Sequence, residues 1–427
     1  MIYAGEAGAI LASRAEIHGA GEAGACRSAS YSRPDGSLEM SMMRGRLRTF
    51  RRHVIRLAVA MVVLDGASEA RSRPADACAD LTQTVPADTI KALSRGVNLA
   101  GWMDGPGSPS PARAVLRTLR KAGMTHVRLP VPAERVMRRF ASERDLNQQL
   151  RTIEAALTEL ISIGFHVSID LHPGEQFSAL HRDSAAQSMD AMRDAWNSLA
   201  SIIRRHPQDW IFAELLNEPD VDAERWQTEA EQLSKFVRQL LPQTTLIVGP
   251  TNWQRADSLP DFRPLSDPNV VYAIHFYDPM VFTHQGHWDP AEPLSCIRGL
   301  PFPILSDSPV VRNIRQQLME TGKRRALDEL DRAIDQARGG DVVSVQLEPA
   351  VAWQKQFSRP LIVNEFGVLK AQAPPESRLR WLASVVDFAE QHCWGWTHWE
   401  LAQGFGLLDE NTGKPDAAVM RALLSRP

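Results

Sequence analysis

The chain has 427 residues, 44% of them hydrophobic and 23% charged, with a formal net charge of −3. Those fractions are ordinary for a globular protein, and the length suits one large domain or two average ones. A near-neutral balance argues against nucleic acid or a membrane surface as a general partner, because neither attracts it.

Residues 1–42 are rich in Gly, Ala and Ser and carry no apolar period, so they read as a stretch upstream of a start at Met40, Met42 or Met43. Arg44, Arg46, Arg48, Arg51 and Arg52 then precede a short apolar run, Leu57 to Leu64, and Ser68-Glu69-Ala70 sets small residues around a cleavage point. That order predicts a secretory signal peptide within a 1–70 leader, and a secreted or periplasmic protein. The apolar run falls well short of the roughly 20 residues a bilayer span needs, so no stable membrane span is expected. Residues 71–92 read as a short N-terminal segment. Cys78, Cys296 and Cys393 would remain after cleavage, enough for one disulfide and one leftover thiol, and their spacing is not that of a metal site.

From Leu93 the pattern becomes regular. Strands are predicted at 96–99, 126–130, 166–171, 211–216, 245–248, 270–276, 361–364 and 396–399. Helices are predicted between most of them, over 112–121, 188–205, 224–241 and 376–391. Another is marked by the stripe Leu150, Ile153, Leu157, Leu160 and Ile161. Alternating βα units with no G-x-G-x-x-G turn after the first strand predict a closed (β/α)8 TIM barrel over 93–427, in preference to an open doubly wound sheet. One connection is abnormal. Residues 280–359 separate the sixth and seventh strands, and Ile314–Arg338 reads as a single charged helix, a solvated cover in a subdomain over the barrel mouth.

Catalytic groups of such barrels sit at the C-terminal ends of the strands. Those ends carry Asn98 and Trp102, then Arg128, Asp170 with His172, Asn217 with Glu218, Asn252 with Trp253, His275 with Tyr277, Asn364 with Glu365, and Trp399 with Glu400. Glu218 and Glu365 lie on strands that can face each other across the mouth. Glycoside hydrolysis needs such a pair, one carboxyl to protonate the leaving oxygen and one to attack the anomeric carbon or activate water. A single glutamate is more often an exposed surface group. A pair at strand ends with amide neighbours is the stronger signal.

The ordered pieces Arg95–Leu99, LLNEP (Leu215–Pro219), IHFYDP (Ile274–Pro279), VFTHQG (Val281–Gly286), NEFG (Asn364–Gly367) and THWELAQGFGLLD (Thr397–Asp409) resemble glycoside hydrolase family 5, the cellulase-type retaining β-glycosidases. The resemblance implies Glu218 as acid/base and Glu365 as nucleophile. It implies Asn217 as the amide that holds the sugar 2-hydroxyl, and Arg128 as the guanidinium that orients Glu365 and keeps it ionised. His172 and His275 match the imidazoles at the cleaved bond, Tyr277 the phenol on the nucleophile and Trp399 a sugar-stacking platform. Asn98 supports the site, and Trp102 stands as a further platform. The implied reaction needs no cofactor and takes a polysaccharide or oligosaccharide, foremost a β-1,4-glucan. Mannan, xyloglucan and β-1,3-glucan remain open, as does a non-catalytic glucan-binding barrel. Asp170-x-His172 with His166, His126 and His275 also suggests a metal set. The glutamate pair explains more residues, so no metal is expected. Glu214 reads as a buried barrel residue paired with a base, and Trp253 and Trp288 read equally as platforms or as core.

Overall fold

The structure, a computed structural model, describes residues 84–425. The expected leader, its cleavage point and Cys78 lie outside the described residues. Eight parallel strands close into a barrel in sequence order: β1 (Arg95–Asn98), β2 (His126–Pro132), β3 (His166–His172), β4 (Ile211–Glu214), β5 (Leu246–Val248), β6 (Val270–Phe276), β7 (Leu361–Phe366) and β8 (Gly395–His398). Their side chains are buried almost throughout. That is why the strands read as near-continuous apolar runs and not as alternating ones.

Helices α1 (Arg113–Lys121), α2 (Glu143–Ile163), α3 (Ala185–Ile203) and α4 (Ala223–Leu240) wrap the first half. Helix α2 shows why the boundaries fall where they do. The Ser142 side chain accepts from the Asp145 N–H at its start, which satisfies a donor that has no partner within the helix. Its buried face carries Leu146, Ile153, Leu157 and Leu160.

Residues 277–360 then leave the barrel. The helix expected over 314–338 is two helices, α5 (Pro309–Glu320) and α6 (Arg324–Arg338). Gly322 between them has φ +67°, a conformation that ends a helix and that side chains other than glycine resist. Nor is the whole insertion a cover over the mouth. Helix α7 (Val342–Phe357) lies in the outer ring, where Trp353 meets Tyr272 of β6 at 4.8 Å between ring centroids. Helix α8 (Pro375–Gln391) follows β7.

The layer between barrel and helices holds Trp196, Trp226, Trp353 and Trp381, all fully buried. A buried indole N–H needs an acceptor, and three of these four donate to carbonyls just past strand ends: Trp196 to Leu215 (3.1 Å), Trp226 to Gly249 (2.8 Å) and Trp381 to Asp278 (3.0 Å). The outer layer therefore pins the loops that carry the site. At the opposite end a second apolar cluster, with Val85 and Leu93 against Phe212, Ile247, Val271 and Ile362, plugs the barrel floor. The Leu93 carbonyl there would lie 2.2 Å from any Cβ at Gly395. Cys296 and Cys393 are both disulfide-bonded, and no described cysteine is a free thiol. No helix among the described residues is long and apolar enough to cross a membrane.

Candidate active site

Arg128 organises the mouth from below. It stands on β2 level with Ser168 of β3, while Asp170 and Glu214 pair one layer higher. Its long stem therefore points a fully buried guanidinium up into a ring of acceptors. Nε and Nη2 clasp Glu214 at 2.7 and 2.9 Å, Nη2 also reaches Asn217 Oδ1 at 2.7 Å, and Nη1 reaches Asn98 Oδ1 at 3.0 Å and Glu365 Oε1 at 2.6 Å. A guanidinium has five N–H donors, and those bonds use all of them. Asp170 Oδ2 lies 2.9 Å away as a third carboxylate. Burial opposes the charge on Arg128, but Asp170, Glu214 and Glu365 outweigh it and hold its pKa above the usual range. Burial pushes Glu214 upward in spite of Arg128. Glu214 is thus the paired, buried barrel residue that its sequence position suggests.

Glu218 and Glu365 face each other. The register of β6 against β7 shifts at His275, which sets His275 opposite Glu365. His275 Nδ1 lies 2.8 Å from Glu218 Oε1 and 3.6 Å from Glu365 Oε2. One oxygen of each carboxylate and a nitrogen of His275 all fall within 4.8 Å of one another. Tyr277 donates to Glu365 Oε2 at 3.2 Å. Burial, together with the charges of Glu365 and Glu218, raises the phenol pKa well above its ordinary value, so it remains a donor. Burial lowers His275 to about 4, which leaves a neutral imidazole at pH 7. Burial raises Glu218 to about 7, more than His172 and Arg128 lower it. The two carboxyls thus differ in environment: Glu365 is held by a cation and a phenol, Glu218 by a neutral ring. Separating two carboxyls in this way assigns one to acid work and the other to charge or nucleophile work.

Sequence reading missed what aims Glu218. Its φ is +41°, and its N–H donates to Gln254 Oε1 at 2.8 Å. Gln254 ends a run of three non-glycine residues, Asn252, Trp253 and Gln254, all at positive φ. Such a run is rare and leaves no periodic trace in a sequence. Asp170, named at its strand end and in the suggested metal set, supports His172 instead: its Oδ2 lies 2.7 Å from His172 Nδ1, while His172 Nε2 lies 3.5 Å from Asn217 Nδ2. Asn364 Nδ2 donates to Glu214 Oε1 at 2.9 Å, tying β7 to the Arg128 ring.

The remaining expected residues divide. Trp399 is half-buried and its ring stacks near His172, 6.2 Å between centroids. Asn98 is fully buried and donates to the Asn364 carbonyl at 3.0 Å, which makes it a support beneath the mouth. Trp102 does not join them. It is only 7% exposed and borders α2 beside Gln148 and Thr152, because the loop after β1 turns outward there. Trp253 is half-buried and lines the hollow beside Glu218, whereas Trp288 is 44% exposed on the insertion and stacks on His287. Neither is core. Glu400 folds the loop after β8, accepting from the N–H groups of Ala402 and Gln403 at 2.7 and 2.6 Å.

His166 begins β3 and stacks on Trp210 at 4.5 Å, at the end of the barrel away from His172. The suggested metal set therefore does not converge. Among the described residues one group could hold a cation, Glu218, His275 and Glu365. The Arg128 guanidinium already sits on Glu365, and a second cation there meets its repulsion.

Comparison with known proteins agrees with this geometry. The cellulase family (glycosyl hydrolase family 5) matches residues 87–404. Endoglucanase 3 of Fibrobacter succinogenes is 24% identical over 371 residues, 78% of this chain and 53% of that protein, so the chain spans about half its length. Endoglucanase C of Acetivibrio thermocellus is 24% identical over 346 residues, 78% of this chain and 97% of that protein. Among solved structures, endoglucanase Cel5A of Thermotoga maritima superposes with a TM-score of 0.61 at 23% identity, covering 79% of this chain and 98% of that one. The cellulose synthase subunit Z of Clostridioides difficile gives 0.60 at 22%, covering 78% and 99%. These structural likenesses show the barrel. With the family match spanning β1 to β8, the chain belongs to the cellulase family, glycosyl hydrolase family 5, and is a glycoside hydrolase.

Proposed function

We propose that the protein is a retaining endo-β-1,4-glucanase in which Glu365 is the nucleophile and Glu218 the acid/base. The reading rests on one observation above the others: one oxygen of each carboxyl lies within 4.8 Å of the other, with His275 beside both. Retention uses a separation of about 5–5.5 Å, whereas inversion needs about 6.5–9.5 Å to admit a water. In the first step Glu365 attacks the anomeric carbon as the glycosidic C–O bond breaks, and the Glu218 proton passes to the leaving oxygen. In the second, Glu218 takes a proton from water, whose oxygen displaces Glu365. Arg128 and Tyr277 stabilise Glu365 when it is ionised, Asn217 holds the 2-hydroxyl, and His172, His275 and Trp399 line the sugar.

The relatives' endoglucanase names favour a glucan over mannan or xyloglucan, and a solved neighbour described as an endo-β-1,4-glucanase favours the β-1,4 linkage over β-1,3. The reading includes export through the leader, for which two disulfide-bonded cysteines provide support, because disulfides persist in oxidising compartments. Reducing-sugar release from carboxymethyl cellulose tests the activity, with wild type and Glu365→Gln side by side. Release by wild type and none by the variant is the expected result. Silence of both on this glucan, with release from mannan or xyloglucan, would replace the substrate, and silence on all would overturn catalysis.

A further inference from the structure

Helix α6 turns one polar face into the cleft. Glu329, Arg332 and Gln336 line the same hollow as Glu218, Tyr277 and Trp253. Their spacing of i, i+3 and i+7 places them on one side of a helix. The other side, with Ala326, Leu330 and Ile334, is buried in the core, so the orientation of α6 is fixed by packing.

The place of this hollow relative to the chemistry follows from the site. The bond to be broken joins the carbon attacked by Glu365 to the oxygen protonated by Glu218. Asn217, His172 and Trp399, the groups for the attacked sugar, stand around Arg128 on the β8 to β4 side and do not line the hollow. The hollow opens from Glu218 toward β5, β6 and the insertion, so it receives the leaving half of the chain. Its charges cancel locally. Arg255 pairs with Asp278 at 2.9 Å and with Asp257 at 3.1 Å, and Arg332 pairs with Glu329 at 2.6 Å. A hollow whose cations are already matched by carboxylates suits a neutral sugar better than a uronic acid.

We propose that α6 is the outer wall of the subsite for the sugar on the leaving side, with Arg332 and Gln336 bonding its hydroxyls opposite the Trp253 ring. This rests on the glucanase reading and adds to it a specificity element that lies outside the barrel strands. One bond to Glu329 leaves most of the five donors of Arg332 for a ligand.

The test compares kcat/KM for cellopentaose, which places glucosyl units on both sides of the cleaved bond, with that for 4-nitrophenyl β-cellobioside, which places only an aryl group on the leaving side. Arg332→Ala and Gln336→Ala are each expected to lower the ratio of the first to the second about tenfold, the size of one hydrogen bond to a ligand hydroxyl. Asp335→Ala, exposed on the same helix but outside the hollow and paired, among the described residues, with Arg338, is expected to leave the ratio unmoved. Equal losses on both substrates would mean that α6 acts through the fold, and an unmoved ratio in both variants would mean that it touches no sugar. Either result overturns the subsite while the glucanase reading stands. A wild type inert on both substrates would overturn that reading instead.

Discussion

Replacing Arg128 with Met removes a cation that contacts three buried carboxylates. Asp170, Glu214 and Glu365 each lie 2.6–2.9 Å from it. At such distances and an effective dielectric near 20, each attraction is about 6 kcal/mol. Most of that is offset by the cost of burying the charges, and removal of one partner of a buried pair typically costs about 3–5 kcal/mol. At about 2 °C per kcal/mol for a domain of this size, the melting temperature should fall by roughly 6–10 °C at pH 7. The loss should depend on pH in a defined direction. Burial already raises Glu214 above its unfolded value, and loss of the guanidinium removes the charge that opposes that rise. The variant is then penalised least below pH 4, and the penalty grows as pH rises through the carboxylate range. Arg128→Lys keeps the charge but offers three donors to an arrangement that uses five, so its stability should fall less. Its kcat should still drop about 100-fold, because Glu365 and Asn217 lose the fork that aligns them. Thermal unfolding at pH 4 and pH 7, with kcat on a soluble glucan, reads all of this. An Arg128→Met melting temperature within 2 °C of wild type at pH 7, or a gap that widens toward pH 4, would refute the reasoning.

With Glu218 raised to about 7 by burial, and required in its protonated form for the first step, kcat/KM should fall on the alkaline side with a limb near pH 7; a limb near 4.5 would contradict the assignment. The same shift means that the contribution of Glu218 to stability is present below its unfolded pKa and lost as pH rises through about 7. Asp170→Asn keeps the shape but removes a charged acceptor from His172 Nδ1 and Arg128. About a tenfold loss of kcat/KM is expected, with oligosaccharide hydrolysis as the readout, and full activity would show that His172 needs no such partner. Gln254→Ala leaves the Glu218 N–H without its acceptor, for about 1–3 kcal/mol in chemical denaturation, while unchanged stability would mean that solvent replaces the bond.

Much of the site was legible because its residues end strands. Glu218, Glu365, Asn217, His275 and Tyr277 stand at or near the ends of apolar runs that the barrel brings to one face, so placing the strands placed them; Arg128, read at an end too, stands early in β2 and reaches the mouth by its long stem. Trp102 follows a strand too, yet the loop after β1 turns it toward α2, and no pattern marks that turn. The two helices of 309–338 looked like one because Thr321-Gly322-Lys323 interrupts the apolar period by too little to register. Helix α7 was hidden by Pro349 and by a weakly amphipathic sequence. Gln254 was invisible as a participant because it acts on Glu218, distant in sequence, through geometry that only the closed barrel creates, whereas Asp170 was visible at its strand end but not as the partner of His172 and Arg128.

The left-handed turn after β5 does two jobs with one stretch of backbone. Gln254 anchors the acid, and Trp253 beside it presents a ring to the leaving side of the cleft. Proton donation and recognition of the departing sugar therefore share a single support. A substitution there that shifts the ring also shifts the proton, so variants in this turn should show coupled rather than independent changes in turnover and in substrate preference. Engineering or divergence that retunes specificity without cost to chemistry has a freer path through α6, which makes none of the hydrogen bonds that hold Glu218 among the described residues, than through residues 252–254.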